Sequence, residues 1–160
     1  GHTFPADVKA ERERNGQISS VYTCCVEAFP NIFTFSDPAE AAWTAIHAVA
    51  GGYDGYLRWS VCAWTADPLR DSRFRLFAAG DTYCIYPGPR SSIRFERLTQ
   101  GLQYCEKIRV LREELKAKGL FRELDELNEA VAGFTPDGFA KAGKSAARMV
   151  SELGWLLNSY

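Results

Sequence analysis

Two short groups of residues hold the side chains that could do chemistry in this sequence: Tyr22, Thr23, Cys24 and Glu27, then Trp59, Trp64 and Asp67. Each group sets aromatic faces beside hydroxyl, thiol or carboxylate groups. That mixture suits a small-molecule site, where an apolar platform holds a ligand and a few polar contacts orient it. Both groups lie in or just after runs of branched and aromatic residues, 18–26 and 56–64, that read as strands. Parallel strands would bring both to one carboxyl end, where such sheets keep their working groups, and so into a single cleft.

The elements between them support that arrangement. After residues 18–26 comes an aromatic loop, AFPNIFTFSDP, whose Phe29, Phe33 and Phe35 are too apolar to lie free in water. A helix follows: Asp37 can cap it, Pro38 suits its first turn and Glu40 stands at the reciprocal capping position. Trp43, Ile46, Val49 and Ala50 form its apolar stripe, with His47 beside them as a hydrogen-bonded structural histidine, and Gly51 and Gly52 close it. Asp54 and Gly55 then turn the chain into residues 56–64. Strand, loop, helix and strand make a βαβ unit. In the second strand alternation sets Leu57, Trp59, Val61 and Ala63 against Tyr56, Arg58, Ser60, Cys62 and Trp64, and the latter face is too polar for ordinary core.

The flanking chain carries less chemistry. Residues 9–15 read as a short polar helix or connection before the Asn15-Gly16 turn. The exit segment ADPLRDSRFRLFAAGD is charged and punctuated, and its arginines and aspartates suggest a loop pinned by ion pairs. Residues 82–86 read as a short strand stopped by Pro87, Gly88 and Pro89. Ser91 or Ser92 can cap a long helix with Ile93, Leu98, Leu102, Cys105, Ile108, Leu111 and Leu115 at helical spacing, ended by Gly119. A helical hairpin, broken near Thr135 and Pro136, is expected over 119–160. Asp125 and Glu126 are adjacent acids, but they lie in that hairpin and read as a solvated face.

Composition narrows the class. With 46% hydrophobic and 24% charged residues over 160 positions, the chain has the make-up of one globular domain. A formal net charge of -1 with interleaved acids and bases argues against nucleic acid as a partner. No apolar run reaches the roughly 20 residues of a membrane span. Cys24, Cys25, Cys62, Cys84 and Cys105 are odd in number and mostly in apolar surroundings, so buried free thiols are expected. No metal-ligand spacing involves them, His2 or His47, and no cofactor is expected. Gly1 and His2 read as an added leader on a chain cut from something longer.

Four blocks resemble one family: DGYLRWSVCAW, the DP..DSR after it, GDTYCIYPGP and SIRFERLTQGLQYCEKIRVL. In this order and spacing they look like the closing part of the catalytic domain of glycoside hydrolase family 123, also catalogued as DUF4091. The likeness spans roughly residues 21–115. One departure is that Tyr104 and Cys105 precede Glu106, where the family often has Asp and an aromatic residue.

The resemblance implies an α/β fold: the C-terminal portion of a (β/α)8 barrel with few parallel strands over 1–118, then the helical tail over 119–160. It also implies retaining hydrolysis of terminal N-acetyl-β-galactosaminides, the substrate's own acetamido oxygen acting as nucleophile, an exception to the scheme of a carboxylate nucleophile. The family's Asp-Glu pair belongs to an earlier strand, so no catalytic residue is expected here. Trp59 and Trp64 are then expected as a sugar platform, Tyr22 near the acetamido group, and Glu27 and Asp67 at hydroxyls, with Arg58 an ion-pair partner inside the sheet. The partner is an amino-sugar glycan, and the complete protein is compatible with export to the periplasm or beyond. A non-catalytic carbohydrate-binding or interaction domain is the alternative. With so few strands an unpaired sheet edge remains, implying self-association or a covering helix.

Overall fold

The computed structural model describes residues 4–88 and 90–160. The readings of Gly1, His2 and Pro89 fall outside them. Eight elements follow in order: α1 (Ala6–Arg14), β1 (Ser20–Thr23), α2 (Ala39–Ala50), β2 (Gly55–Arg58), α3 (Ile93–Ala117), α4 (Phe121–Ala132), α5 (Pro136–Ala142) and α6 (Ala146–Ser159). The fold is helix-rich α/β with one small sheet, in which β1 and β2 run parallel with Tyr22 opposite Leu57 and Thr23 opposite Arg58.

Helix α2 is the centre of the molecule. Its start is closed as the sequence predicts: Asp37 Oδ1 accepts from the Ala39 N–H at 2.9 Å and Glu40 Oε1 accepts from the Asp37 N–H at 3.1 Å. Every residue from 41 to 48 is buried. One side of α2, with Trp43 and Ile46, packs on α3, α4 and α6. The other, with Ala41 and Ala45, meets Ile32, Cys84 and Leu98, with Tyr56 of β2 packed against them. His47 Nδ1 donates to the Phe134 carbonyl at 2.8 Å, fastening the helical tail to α2.

Both strands are shorter than their sequence patterns. Residues 18–26 contribute four strand residues, and of 56–64 only the first three are strand, in β2. Beyond Arg58 the chain leaves extended pairing for side-chain anchors: Ser60 Oγ donates to the Thr82 carbonyl at 2.6 Å and Trp64 Nε1 to the Ile85 carbonyl at 2.8 Å. Residues 82–86 form no strand; they make isolated antiparallel bridges, Cys62 to Tyr83 and Tyr86 to Arg90. The expected hairpin is three helices, because the Thr135 side chain caps α5 through the Gly138 N–H at 3.1 Å. Within α3, Ile93 and Leu102 keep helical spacing with the core yet are exposed, whereas Arg94 is buried and donates to the Ile32 and Gly80 carbonyls.

The cysteines differ from expectation. Only Cys84 is buried; Cys24 and Cys105 are half-buried, and Cys25 and Cys62 are exposed. The segments around Cys24, Cys25 and Cys62 supply a strand-end bend and a loop rather than core, whereas Cys84 and Cys105 pack in or against the core.

Candidate functional site

The two faces of the sheet have opposite fates. Val21, Thr23, Tyr56 and Arg58 turn toward α2 and the loops, with the Thr23 and Tyr56 hydroxyls hydrogen-bonded at 2.6 Å. Burial is the main reason the Tyr56 phenol sits above its ordinary value, with the hydrogen bond to Thr23 opposing it. This is the face that looked too polar for core. Over β2 itself the Tyr56 hydroxyl and the Arg58 guanidinium, apart from its Nε, are paired inside the protein, so this part of the face is core after all, whereas Cys62 and Trp64 beyond the strand are exposed. Tyr22 and Leu57, paired across the strands, face solvent instead, and exposed Trp59 follows Leu57 by two positions.

The carboxyl ends of the strands are held by a buried polar network. Arg58 donates to Asn31 Oδ1 at 2.8 Å, to Thr23 Oγ1 at 3.2 Å, to the Asp81 carbonyl at 3.0 Å and to Asp81 Oδ1 at 2.5 Å. Asn31 passes the connection on by donating to the Cys24 and Glu27 carbonyls at 2.7 and 2.6 Å. Two loops are thereby tied to the end of β2: the one after β1, through Asn31, and the one from β2 to α3, through Asp81. Arg58 is an ion-pair partner at the end of the sheet, as expected. The roles of Asn31, Asp81 and Arg94 have no periodic signature in the sequence, since all three act from loops or from the wrong side of an apolar stripe.

The five expected site residues do not form one cluster. Tyr22 and Glu27 share a cavity of about 230 Å³ along the outer edge of β1, with Thr23, Phe29, Pro30 and His47 among its walls. Partial desolvation and then the neighbouring Cys24 thiol push the Tyr22 phenol above its ordinary value. The Glu27 carboxylate is engaged, Oε2 accepting from the Cys24 N–H at 2.8 Å. Trp59 lies on the open face of the sheet and packs on Phe77 at a ring separation of 5.1 Å. Phe77 is the residue that sequence reading missed; the only hint was its place in the apolar part of the exit loop. Trp64 is exposed but anchored to Ile85, and Asp67 pairs loosely with Arg70 at 3.7 Å on the exposed exit loop. That loop is pinned as expected: Arg73 grips Asp71 through two side-chain hydrogen bonds and holds its carboxyl down at about 2. Among the described residues, no three His, Cys, Asp or Glu side chains are grouped to hold a metal ion.

A surface of exposed aromatics beside a locked polar network can hold and orient a ligand. Comparison with known proteins gives this geometry a family. The model of the glycoside hydrolase 123 catalytic domain matches residues 1–111. The chain belongs to that family. A search of curated protein sequences returns no match. Among solved structures, the chain resembles a family 123 glycoside hydrolase from Clostridium perfringens, described in a study of glycolipid glycan hydrolysis, with a TM-score of 0.74 at 22% identity. The match covers 96% of this chain and 30% of that one, so this family 123 chain spans under a third of its neighbour's length. At that identity the likeness bears on fold; the family assignment rests on the sequence match. Among the described residues no helix is long and apolar enough to cross a membrane.

Proposed function

We propose that the chain is the closing portion of a (β/α)8-type catalytic barrel in a glycoside hydrolase that removes terminal N-acetyl-β-galactosamine with retention. The observation that carries this reading is the exposure of Tyr22, Leu57 and Trp59 on the sheet face opposite α2. In a parallel barrel one face of each strand packs on helices and the other points inward, and the site opens at the carboxyl ends. Helix α2 packs on one face of the sheet at β2; the remaining strands would enclose the other.

In that arrangement Trp59, backed by Phe77, covers the apolar C–H face of the sugar. Tyr22 borders the acetamido group, and Glu27 acts mainly through the loop it holds. Trp64 and Asp67 line the outer mouth from the exit loop. The substrate's acetamido oxygen is the nucleophile, so the protein must supply one carboxylate to orient it and another to protonate the leaving oxygen. In this reading both belong to parts of the catalytic domain outside this chain, which supplies barrel wall and sugar-facing aromatics. Residues 119–160 form a helical buttress behind α2 and α3.

The test is Trp59→Ala in the complete gene product, assayed on a chromogenic N-acetyl-β-galactosaminide. Loss of one aromatic platform of about 1–2 kcal/mol predicts a kcat/KM about five- to thirtyfold lower with the fold intact. An unchanged kcat/KM removes Trp59 from the sugar site.

A further inference from the structure

Cys24 and Cys25 are adjacent free thiols at the carboxyl end of β1. Within a regular strand consecutive side chains point to opposite faces, so neighbouring cysteines could not meet. Here β1 stops at Thr23 and the chain bends at Cys25, which frees the two side chains from that alternation. Cys24 is half-buried beside the Tyr22 phenol, and Cys25 is exposed. The backbone of Cys24 is held on both sides: its N–H donates to Glu27 Oε2 at 2.8 Å, and its carbonyl, part of the peptide joining the two cysteines, accepts from Asn31 Nδ2 at 2.7 Å.

We propose that Cys24 and Cys25 are a reversible dithiol site that closes to a vicinal disulfide by exchange with a low-molecular-weight disulfide such as oxidised glutathione. The exposed Cys25 thiolate attacks one sulfur of that disulfide and expels one thiolate. Cys24 then attacks the Cys25 sulfur of the mixed disulfide and expels the second. One small disulfide is reduced to two thiols, one S–S bond forms in the protein, and the two protein protons pass to the released thiolates.

Two features make the site responsive rather than structural. Adjacent Cα atoms are about 3.8 Å apart across a trans peptide, less than disulfides usually span, so the closed ring is strained and readily reduced. Closure also takes the Cys24 thiol from Tyr22 and stiffens the loop that carries Glu27. Desolvation, with Cys24 beside it, raises the Cys25 thiol above its ordinary value of 9.0, so closure should accelerate with pH through the neutral range and beyond.

The test uses the folded 160-residue chain incubated with oxidised glutathione, then blocked and cut after Lys and Arg. Cys24 and Cys25 are the only cysteines between Arg14 and Arg58, so one peptide reports on both. The expected product is that peptide lighter by two hydrogens, free of glutathione, restored by mild reductant and still formed in Cys62→Ser. In Cys24→Ser the same peptide should instead retain one glutathione. A stable glutathione adduct in the unaltered chain, a link to the Cys62 peptide, or no reaction at alkaline pH would each overturn the proposal.

Discussion

Arg58 and Asp81 meet at 2.5 Å with side chains 2% and 0% exposed, joining the end of β2 to a loop 23 positions later. Asp81 is part of a segment with no regular secondary structure, so this contact does for the loop what a third strand would otherwise do. Among the described residues Arg58 Nε and Asp81 Oδ2 have no hydrogen-bond partner, so part of the pair's desolvation cost is left unmet.

Breaking that contact from one side should be costly. Asp81→Asn or Arg58→Met leaves a buried group without its counter-charge and is expected to lower the unfolding free energy by about 3–5 kcal/mol in urea denaturation. The double replacement Arg58→Met with Asp81→Leu should lose less than the sum of the two. Additive losses would mean that the pair acts through separate contacts.

Gly101 marks the closest approach of α2 and α3. A Cβ there would stand 2.5 Å from the Ala42 carbonyl oxygen and 2.7 Å from its Cα, and backbone cannot yield as a side chain can. Gly101→Ala should therefore destabilise by about 1–3 kcal/mol through overpacking, despite the better helix propensity of alanine. A midpoint shift toward greater stability would show that the helices sit farther apart.

His47 supplies a pH signature. Burial holds its folded pKa below the ordinary 6.5, with the Phe134 hydrogen bond opposing. The unfolded chain therefore takes up this proton first. Stability from neutral His47 is full above about pH 6.5 and falls as the pH drops through and below that value. Urea midpoints from about pH 7 to 5 should decline for the unaltered chain and decline less for His47→Gln. Equal slopes would remove His47 as the source.

Among the described residues the outer edge of β1 has no strand partner, and Tyr22 in it and Ile18 and Val26 beside it are exposed. The 160-residue chain is expected to self-associate through this edge, giving a concentration-dependent mass in sedimentation equilibrium. A monomer at every concentration would count against edge pairing.

The parts of this fold legible in the sequence are those fixed by local chemistry. Asp37 and Glu40 announce the start of α2, Ser92 that of α3 through the Phe95 N–H at 3.2 Å, and Thr135 that of α5, because caps act within three residues. Strand lengths were not legible. Residues 18–26 and 56–64 alternate well enough, but a strand persists only where a neighbour pairs with it, and β1 and β2 have only each other. The face assignment of β2 inverted for a related reason: Tyr56 and Arg58 look polar in sequence, yet Thr23, Asn31 and Asp81 satisfy them from three distant segments. For the site, Trp59 could be placed on one face of a strand, but its partner Phe77 comes from an irregular loop whose path no periodicity encodes.

The most direct measurement compares hydrolysis of a chromogenic N-acetyl-β-galactosaminide by the 160-residue chain and by the complete gene product. Activity confined to the longer protein is the predicted result, placing the acid and acetamido-orienting carboxylates beyond this chain. Turnover by the short chain alone, lost on mutation of a carboxylate within it, would contradict the division of labour proposed here.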